Sequence, residues 1–208
     1  MDAKKITEIL HALSSKIDKE KEFLTELDNV IGDGDHGINM ARGFKAVDAK
    51  IDTLETEDIG EILRTAGMTL VSTVGGASGP LYGTAFMKAG MTMSKKTQMS
   101  LSDFLACLNA AVEGVKMRGK SVQGEKTMLD AMIPALEAMN KAIEQGLTSA
   151  DVLKCGTEAA RQGVEYTKTI IATKGRASYL GERSIGHQDP GATSFTNMLE
   201  AVYDYITA

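Results

Sequence analysis

Three aspartates, Asp28, Asp33 and Asp35, lie close together near the start of the chain. Carboxylates concentrated in this way repel one another unless a cation compensates their charge. Their hard oxygen atoms suit Mg²⁺ or Ca²⁺, and Mg²⁺ normally completes its octahedron with waters and substrate phosphates. Glycines at positions 32, 34 and 37 allow the backbone to fold tightly around a point. The segment therefore predicts a metal site formed by the three aspartates.

Two alternatives compete with this interpretation of the aspartate segment. An EF-hand would use Asp33 and Asp35 as its first two ligands, but Phe44 stands where the bidentate Glu of that motif is required. The second alternative needs no metal, because Asp33 or Asp35 could cap the helix predicted to begin near Ile38. A cap explains one carboxylate and not three, which favours the metal site.

A glycine-rich segment, residues 73–83, leads into a predicted helix with Pro80 near its first turn. Backbone N–H groups at the start of such a helix can bind an anion. Glycines at a helix junction also occur where two helices must pack closely. Both interpretations of this segment stay open on the sequence alone.

A third segment, residues 174–191, combines cations, glycines and a proline turn. Lys174, Arg176 and Arg183 could bind phosphate, since the planar donors of a guanidinium group match phosphate oxygens. The alternative is a solvated surface loop, and for His187 alone that alternative is preferred.

The run from Gly114 to Ser121 matches the P-loop pattern of nucleoside triphosphatases letter for letter. A P-loop follows a buried β-strand and opens a helix. Here the preceding residues show the clearest helical periodicity in the chain, and Val115, Met117 and Arg118 are bulky for a loop that wraps phosphate. The match is therefore rejected.

Helical periodicity dominates the segments that must position these residues, and the fold class predicted is all-α. Helices are expected over Leu101–Val115, near Thr127–Gln145 with a kink at Pro134, and near residues 3–30, 38–50, 59–74, 81–94, 151–167 and 193–206. Ser100 and Thr148 are at N-cap positions, and Gly146 follows a helix as a C-cap does. The best strand candidate, Thr169–Thr173, is isolated and could not build a sheet.

Composition restricts the class of protein further. The chain has 208 residues, so one domain over residues 1–208 is expected. Its net charge is -5, so neither nucleic acid nor an acidic membrane is an expected partner. Neither a signal peptide nor a transmembrane span is predicted. Cys107 and Cys155 have neither metal-type nor disulfide-framework spacing, which favours the cytoplasm.

Taken together and in order, residues 32–37, 75–80 and 175–191 resemble the L subunits of dihydroxyacetone kinases, and the likeness extends over essentially the whole chain. The last run is long enough to be highly specific, whereas the first two are weak by themselves. The resemblance implies a barrel of about eight antiparallel helices with a nucleotide site at one end.

The resemblance also implies a ligand set. Asp28, Asp33 and Asp35 would hold two Mg²⁺ ions that bridge nucleotide phosphates. The residues implied to surround ADP are His36, Gly37, Ile38, Asn39, Ala77, Ser78, Gly119, Met128, Arg176, Asp189, Pro190 and Gly191. No catalytic base is expected on this chain, because phosphoryl transfer asks mainly for positioning and neutralisation of charge.

In the separate-subunit form of the family, ADP is a retained coenzyme that cycles with ATP. A phosphohistidine on an M subunit, supplied by the phosphoenolpyruvate phosphotransferase system, rephosphorylates it, and the phosphate passes to dihydroxyacetone held on a K subunit. The expected partners are therefore the K and M subunits, with a homodimer also possible. Two other functions stay open: a regulatory module that senses nucleotides, and the nucleotide domain of a kinase that uses ATP directly.

Overall fold

The computed structural model describes residues Met1–Ala208 and consists of helices joined by loops. The α-helices are α1 (Ala3–Lys19), α2 (Lys21–Ile31), α3 (His36–Ile51), α4 (Ile59–Thr73), α5 (Ser78–Thr92), α6 (Leu101–Gly119), α7 (Leu129–Glu144), α8 (Ser149–Thr167) and α9 (Pro190–Thr207), and a 3₁₀ helix spans Arg176–Ser184. The predicted all-α class is confirmed. The barrel arrangement stays a prediction.

The chain divides into two compact units. The first unit contains residues 1–15 and 39–120, and the second contains residues 16–38 and 121–208. The three boundaries fall within α1, within α3 and directly after α6. The prediction of one domain over the whole chain stays a prediction, and each unit is described by itself below.

In the first unit, α4 packs on α5 and α5 packs on α6. The contact between α4 and α5 is made by glycines. A Cβ atom added at Gly67 would lie 2.7 Å from the Gly83 carbonyl oxygen, and one added at Gly60 would lie 2.6 Å from the Gly90 carbonyl oxygen. Both distances are shorter than any real Cβ contact, so the two helices approach backbone to backbone at two levels. The glycines therefore set the spacing of this helix pair.

In the second unit, α8 packs on α7 and α9, and α9 also contacts α2 and α7. The side chains from Pro190 to Leu199 on α9 are largely buried, including the polar residues Thr193, Ser194 and Thr196. Because burial of this kind extends around the whole circumference of the helix, the first part of α9 is a central element of its unit.

The contact between α7 and α8 depends on a proline and a glycine. Pro134 has no N–H group for the Asp130 carbonyl four residues earlier in α7. Gly163 of α8 packs directly on this carbonyl, because a Cβ atom at Gly163 would lie 2.1 Å from the Asp130 oxygen. A larger residue at position 163 would force the two helices apart.

Several local predictions can be compared with the structure. The expected caps are confirmed: Ser100 and Asp103 form a reciprocal capping box on α6, and the Thr148 hydroxyl accepts from the Asp151 N–H. Gly146 follows α7 with φ of 73°. Rejection of the P-loop is also confirmed, since Gly114–Gly119 belongs to α6 and no strand precedes it.

One expectation needs correction. The single helix expected near residues 3–30 is divided at Glu20, whose φ of -92° and ψ of 5° depart from helical values, into α1 and α2. The expectation that residues 169–173 build no sheet is confirmed, since they form no strand, and the Thr173 N–H donates to the Glu125 carbonyl at 3.3 Å. A segment without a neighbouring strand has no ladder to join.

Both cysteines are free, with Cys107 buried and Cys155 partly buried. None of the helices combines the length and the apolar composition needed to cross a membrane.

The packing at Gly163 makes a testable prediction. Gly163→Ala should lower the free energy of unfolding by roughly 1–3 kcal/mol, because overpacking against the Asp130 backbone outweighs the higher helix propensity of alanine. Gln162→Ala, at an exposed position of the same helix, is the matched control and should be neutral or slightly stabilising. Urea unfolding measures both, and a stabilised Gly163→Ala variant would contradict the close contact.

Candidate metal centre

The three aspartates predicted to bind metal come together at the junction of α2 and α3. Asp28 is in the last turn of α2, and Asp33 and Asp35 are in the loop that leads into α3. One carboxylate oxygen from each lies within 4.8 Å of those from the other two. Asp28 and Asp35 are partly buried, and Asp33 is exposed. The oxygen atoms therefore form a cluster that solvent and a ligand can reach.

Backbone hydrogen bonds hold Asp28 in this position. Its Oδ2 atom accepts from the Asp35 N–H at 2.9 Å and from the His36 N–H at 3.1 Å. The negative carboxylate thus lies at the N-terminus of α3, where unpaired N–H groups and the helix dipole favour an anion. Asp28 connects the end of one helix to the start of the next.

The turn between the helices requires glycine at position 34. Gly34 has φ of 73°, and a Cβ atom there would lie 1.9 Å from the Asn29 side-chain oxygen. An L-residue would be disfavoured by its backbone conformation and would also collide with Asn29. This glycine therefore allows Asp33 and Asp35 to turn back toward Asp28.

Arg176 lies beside the aspartate cluster. Its Nε atom is 2.8 Å from Asp33 Oδ2, and its side chain is largely exposed. The 3₁₀ helix that begins at Arg176 is anchored by an apolar cluster of Ile31, Ala172, Ala177 and Leu180. Ile31 ends α2, so the same helix end positions both the aspartates and the arginine.

His36 opens α3 and is buried. Its Nε2 atom lies 2.9 Å from the Ser194 hydroxyl of α9, and the ring also forms a hydrogen bond with the Pro190 backbone. Burial lowers the pKa of His36, and the nearby carboxylates of Asp28 and Asp35 oppose this decrease. A neutral imidazole therefore joins the start of α3 to the start of α9.

Asp189 is the N-cap of α9, and its Oδ2 atom accepts from the Ala192 N–H at 2.7 Å. Burial raises the pKa of Asp189 to about 7, and the carboxylates of Asp130 and Asp28 add to the increase. The Ala192 hydrogen bond and the Lys126 ammonium group act in the opposite direction. Asp189 is thus a carboxyl group whose ionisation is costly.

The segment before α7 also meets the start of α9. A Cβ atom at Gly191 would lie 3.5 Å from the Met128 Cβ atom, so Met128 packs close to the backbone at Gly191. The structure of the second unit thus places Met128 beside Gly191, His36 beside Pro190, and Arg176 beside Asp33. The resemblance had implied all six as part of one ligand site.

Four predicted contact residues belong to the first unit. Ala77 and Ser78 form the start of α5, whose first turn has no side-chain N-cap, and Gly119 ends α6. Asn39 is buried, its Oδ1 atom accepts from the Arg42 guanidinium at 2.8 Å, and Gly75 packs on its amide. Asn39 is thereby held next to the glycine-rich segment.

The other side chains considered for phosphate binding have different surroundings. Lys174 lies 3.7 Å from Glu125, and the His187 side chain is exposed while its carbonyl is used in a hydrogen bond. Arg183 is an exposed residue near the end of the 3₁₀ helix. Of these side chains, Arg176 is the one that the structure places at the aspartate cluster.

Sequence reasoning missed two buried charged residues beside Met128. Lys126 is 1% exposed and Asp130 is fully buried. The Asp130 carboxylate accepts from the Gly124 and Thr127 N–H groups. Burial lowers the pKa of Lys126, and the Asp189 and Asp130 carboxylates oppose this decrease. The sequence signal was weak, because charged residues near a helix start are normally exposed.

Comparison with known proteins gives consistent matches. A family model described as the DAK2 domain matches residues 30–204. The "PEP-dependent dihydroxyacetone kinase, ADP-binding subunit DhaL" of Escherichia coli (strain K12) is 46% identical over 181 residues, which is 87% of this chain and 86% of that protein. The corresponding subunit of kinase 1 from Listeria innocua is 46% identical over 93% of this chain and 91% of that protein.

The fold is also found in a solved structure. The dihydroxyacetone kinase from C. freundii, crystallised in complex with AMP-PNP and Mg²⁺, matches with a TM-score of 0.75 and 22% identity. The match covers 98% of this chain and 34% of that chain. At 22% identity, this match shows a shared fold.

The raised pKa of Asp189 predicts a pH dependence of stability. The folded chain holds this proton more tightly than the unfolded chain, whose Asp pKa is about 3.9. The associated stability is complete below pH ~4 and is lost as the pH rises through about 7. Asp189→Asn retains a capping oxygen but cannot ionise.

We therefore expect Asp189→Asn to gain stability relative to the unmodified chain between pH 5 and 8. Urea unfolding in metal-free buffer measures the difference at each pH. If the free energies of unfolding of the two chains change in parallel with pH over this range, the prediction is wrong, because Asp189 would then be ionised below it.

Proposed function

Because this chain belongs to the DAK2 domain family, we propose that it is the ADP-binding subunit of a phosphoenolpyruvate-dependent dihydroxyacetone kinase. The observation that carries the proposal is the gathering of Asp28, Asp33 and Asp35 beside Arg176. It occurs in a chain that matches ADP-binding subunits at 46% identity along most of their length. Such a subunit would be a phosphotransferase component that is active with its partners.

The aspartate cluster fits a bound Mg²⁺ ion. All three donors are carboxylate oxygens, and their spacing within 4.8 Å suits a cation that contacts several of them. The exposure of Asp33 leaves room for waters and phosphate oxygens, which Mg²⁺ prefers to retain. When bound, Mg²⁺ neutralises phosphate charge and orients the transferred group. We propose two such ions, on the strength of the family resemblance.

Arg176 is proposed as the phosphate ligand. Its guanidinium pairs with Asp33 at 2.8 Å. A cation bound at Asp33 would compete for that carboxylate and leave the guanidinium to a phosphate group. Arginine suits this role because its planar donors match phosphate oxygens and its charge is permanent.

The start of α9 is the proposed nucleotide contact in the second unit. Asp189, Pro190 and Gly191 are held there by the N-cap bond and by the neighbours His36 and Met128. Gly37 and Ile38, in the first turn of α3, are proposed with them. On the family resemblance we add Asn39, Ala77, Ser78 and Gly119.

The proposed reaction places no acid or base on this chain. ADP held by the chain would accept a phosphoryl group from the phosphohistidine of an M subunit, which gives ATP and free histidine, and ATP would then pass the group to a hydroxyl of dihydroxyacetone on a K subunit, which regenerates ADP. Positioning and neutralisation of charge are the main demands of phosphoryl transfer, and the aspartates and Arg176 meet them. We place this reaction in the cytoplasm, which fits a chain with two free cysteines.

Identification of the bound nucleotide is the first test. The chain is purified without added nucleotide and denatured, and the released small molecules are identified by chromatography and mass spectrometry. Near-stoichiometric ADP with magnesium supports a retained coenzyme. An empty chain that binds and releases ATP rapidly supports a kinase domain that uses ATP directly.

Reconstitution with K and M subunits then distinguishes the proposed phosphoryl transfer from a regulatory role. Formation of dihydroxyacetone phosphate from phosphoenolpyruvate, dependent on this chain, supports the proposal. A chain that binds nucleotide but gives no turnover supports a nucleotide-sensing module.

Asp33→Ala should abolish ADP retention without unfolding the chain. The substitution removes one exposed metal ligand and the partner of Arg176, while no core contact is lost. Calorimetric titration with ADP and magnesium measures the affinity, and thermal unfolding without ligand measures stability. Asp18→Ala, at an exposed carboxylate of the same unit, is the control. Unchanged ADP affinity in Asp33→Ala would exclude Asp33 as a ligand.

A further inference from the structure

Lys126 has an unusual environment for a lysine. Its side chain is 1% exposed, and its backbone has φ of 59°, in the left-handed region that disfavours L-residues. A buried charge is costly unless hydrogen bonds and opposite charges compensate it. A residue that combines burial of charge with a disfavoured backbone conformation indicates a specific role.

The Lys126 ammonium group is satisfied by backbone carbonyls. Nζ lies 2.5 Å from the carbonyl oxygen of Thr167, 2.5 Å from that of His187 and 3.4 Å from that of Ile170. An ammonium group has three N–H donors, so these acceptors match its full capacity. Thr167 is the last residue of α8, where the helix dipole also favours a cation.

These acceptors lead directly to the residues at the start of α9. His187 is two residues before Asp189, and the Asp189 N–H donates to the Thr167 hydroxyl at 3.0 Å. Lys126 itself is two residues before Met128, which packs near Gly191. The ammonium group therefore joins both segments that meet at the proposed nucleotide contact.

If Lys126 served only to stabilise the C-terminal end of α8, its hydrogen bond to the Thr167 carbonyl would suffice. The other two acceptors, Ile170 and His187, lie outside any helix, in the segment between α8 and α9. This segment also contains Arg176 and ends at Asp189. The contacts of Lys126 thus extend from the end of α8 to the residues beside the proposed site.

We propose that Lys126 is a positioning residue for nucleotide binding: its buried ammonium group fixes the Met128 segment and the Asp189–Gly191 segment in one arrangement. It contacts no ligand itself and acts through the carbonyls of Thr167 and His187. The inference rests on the proposed nucleotide site. If Lys126 had a solely structural role, its replacement would leave the affinity for ADP unchanged.

Lys126→Met tests the proposal, because methionine keeps most of the apolar stem and removes the charge. We expect the affinity for ADP with magnesium, measured by calorimetry below the unfolding temperature, to fall by about tenfold or more, as misplacement of binding groups does. Lys168→Met removes a more exposed charge from the same region. Val152→Ala lowers core stability elsewhere in the unit. Both controls should bind ADP within about twofold of the unmodified chain.

A second variant applies if Lys126→Met does not fold. Lys126→Gly suits the positive φ and leaves a space lined by carbonyls. Methylammonium, which retains three N–H donors, should restore ADP affinity in a saturable manner. Tetramethylammonium has no N–H group and should not. Affinity equal to that of the unmodified chain without amine, or a loss that methylammonium does not restore, overturns the proposal.

The controls also separate this inference from the proposed function. Failure of the unmodified chain to bind ADP overturns both. ADP binding by the unmodified chain and equally by Lys126→Met overturns the role of Lys126 alone.

Discussion

Electrostatic repulsion among three neighbouring carboxylates is the constraint on which the candidate site depends. Asp28, Asp33 and Asp35 have oxygen atoms within 4.8 Å of one another, and neighbouring groups of the chain compensate part of their charge. The N–H groups at the start of α3 bind Asp28, and Arg176 pairs with Asp33. The junction of α2 and α3 and the anchored 3₁₀ helix are therefore parts of one electrostatic arrangement.

A second arrangement of buried polar groups supports the start of α9. Asp130 binds the backbone before α7, Lys126 binds the carbonyls after α8, and Asp189 caps α9. Each charge is satisfied mostly by backbone groups, so each fixes a loop segment in place. Loops held in this way can present ligand-binding residues with little loss of entropy on binding.

The sequence predicted the class of the fold, most of the helices and the cluster of aspartates. Helical periodicity and capping residues report local preferences, so the capping box at Ser100 and Asp103 and the rejected P-loop agreed with the structure. The role of Lys126 could not be predicted, because its acceptors are distant in the sequence. Asp130 accepts from the nearby Gly124 and Thr127 N–H groups, but its complete burial depends on tertiary packing. No glycine or proline marks the break at Glu20. No spacing pattern shows that a lysine is buried among carbonyls from residues 41 and 61 positions away.

The glycine contacts between α4 and α5 have a consequence for the ligand contacts proposed in the first unit. Helices that touch through their backbones at Gly67–Gly83 and Gly60–Gly90 have little freedom to slide or rotate against each other. The helix pair therefore behaves as one rigid body. At the nucleotide contact proposed for Ala77 and Ser78, selection among ligands would operate by complementarity to a fixed template, and a larger residue at any of these four glycines would have to push the two helices apart.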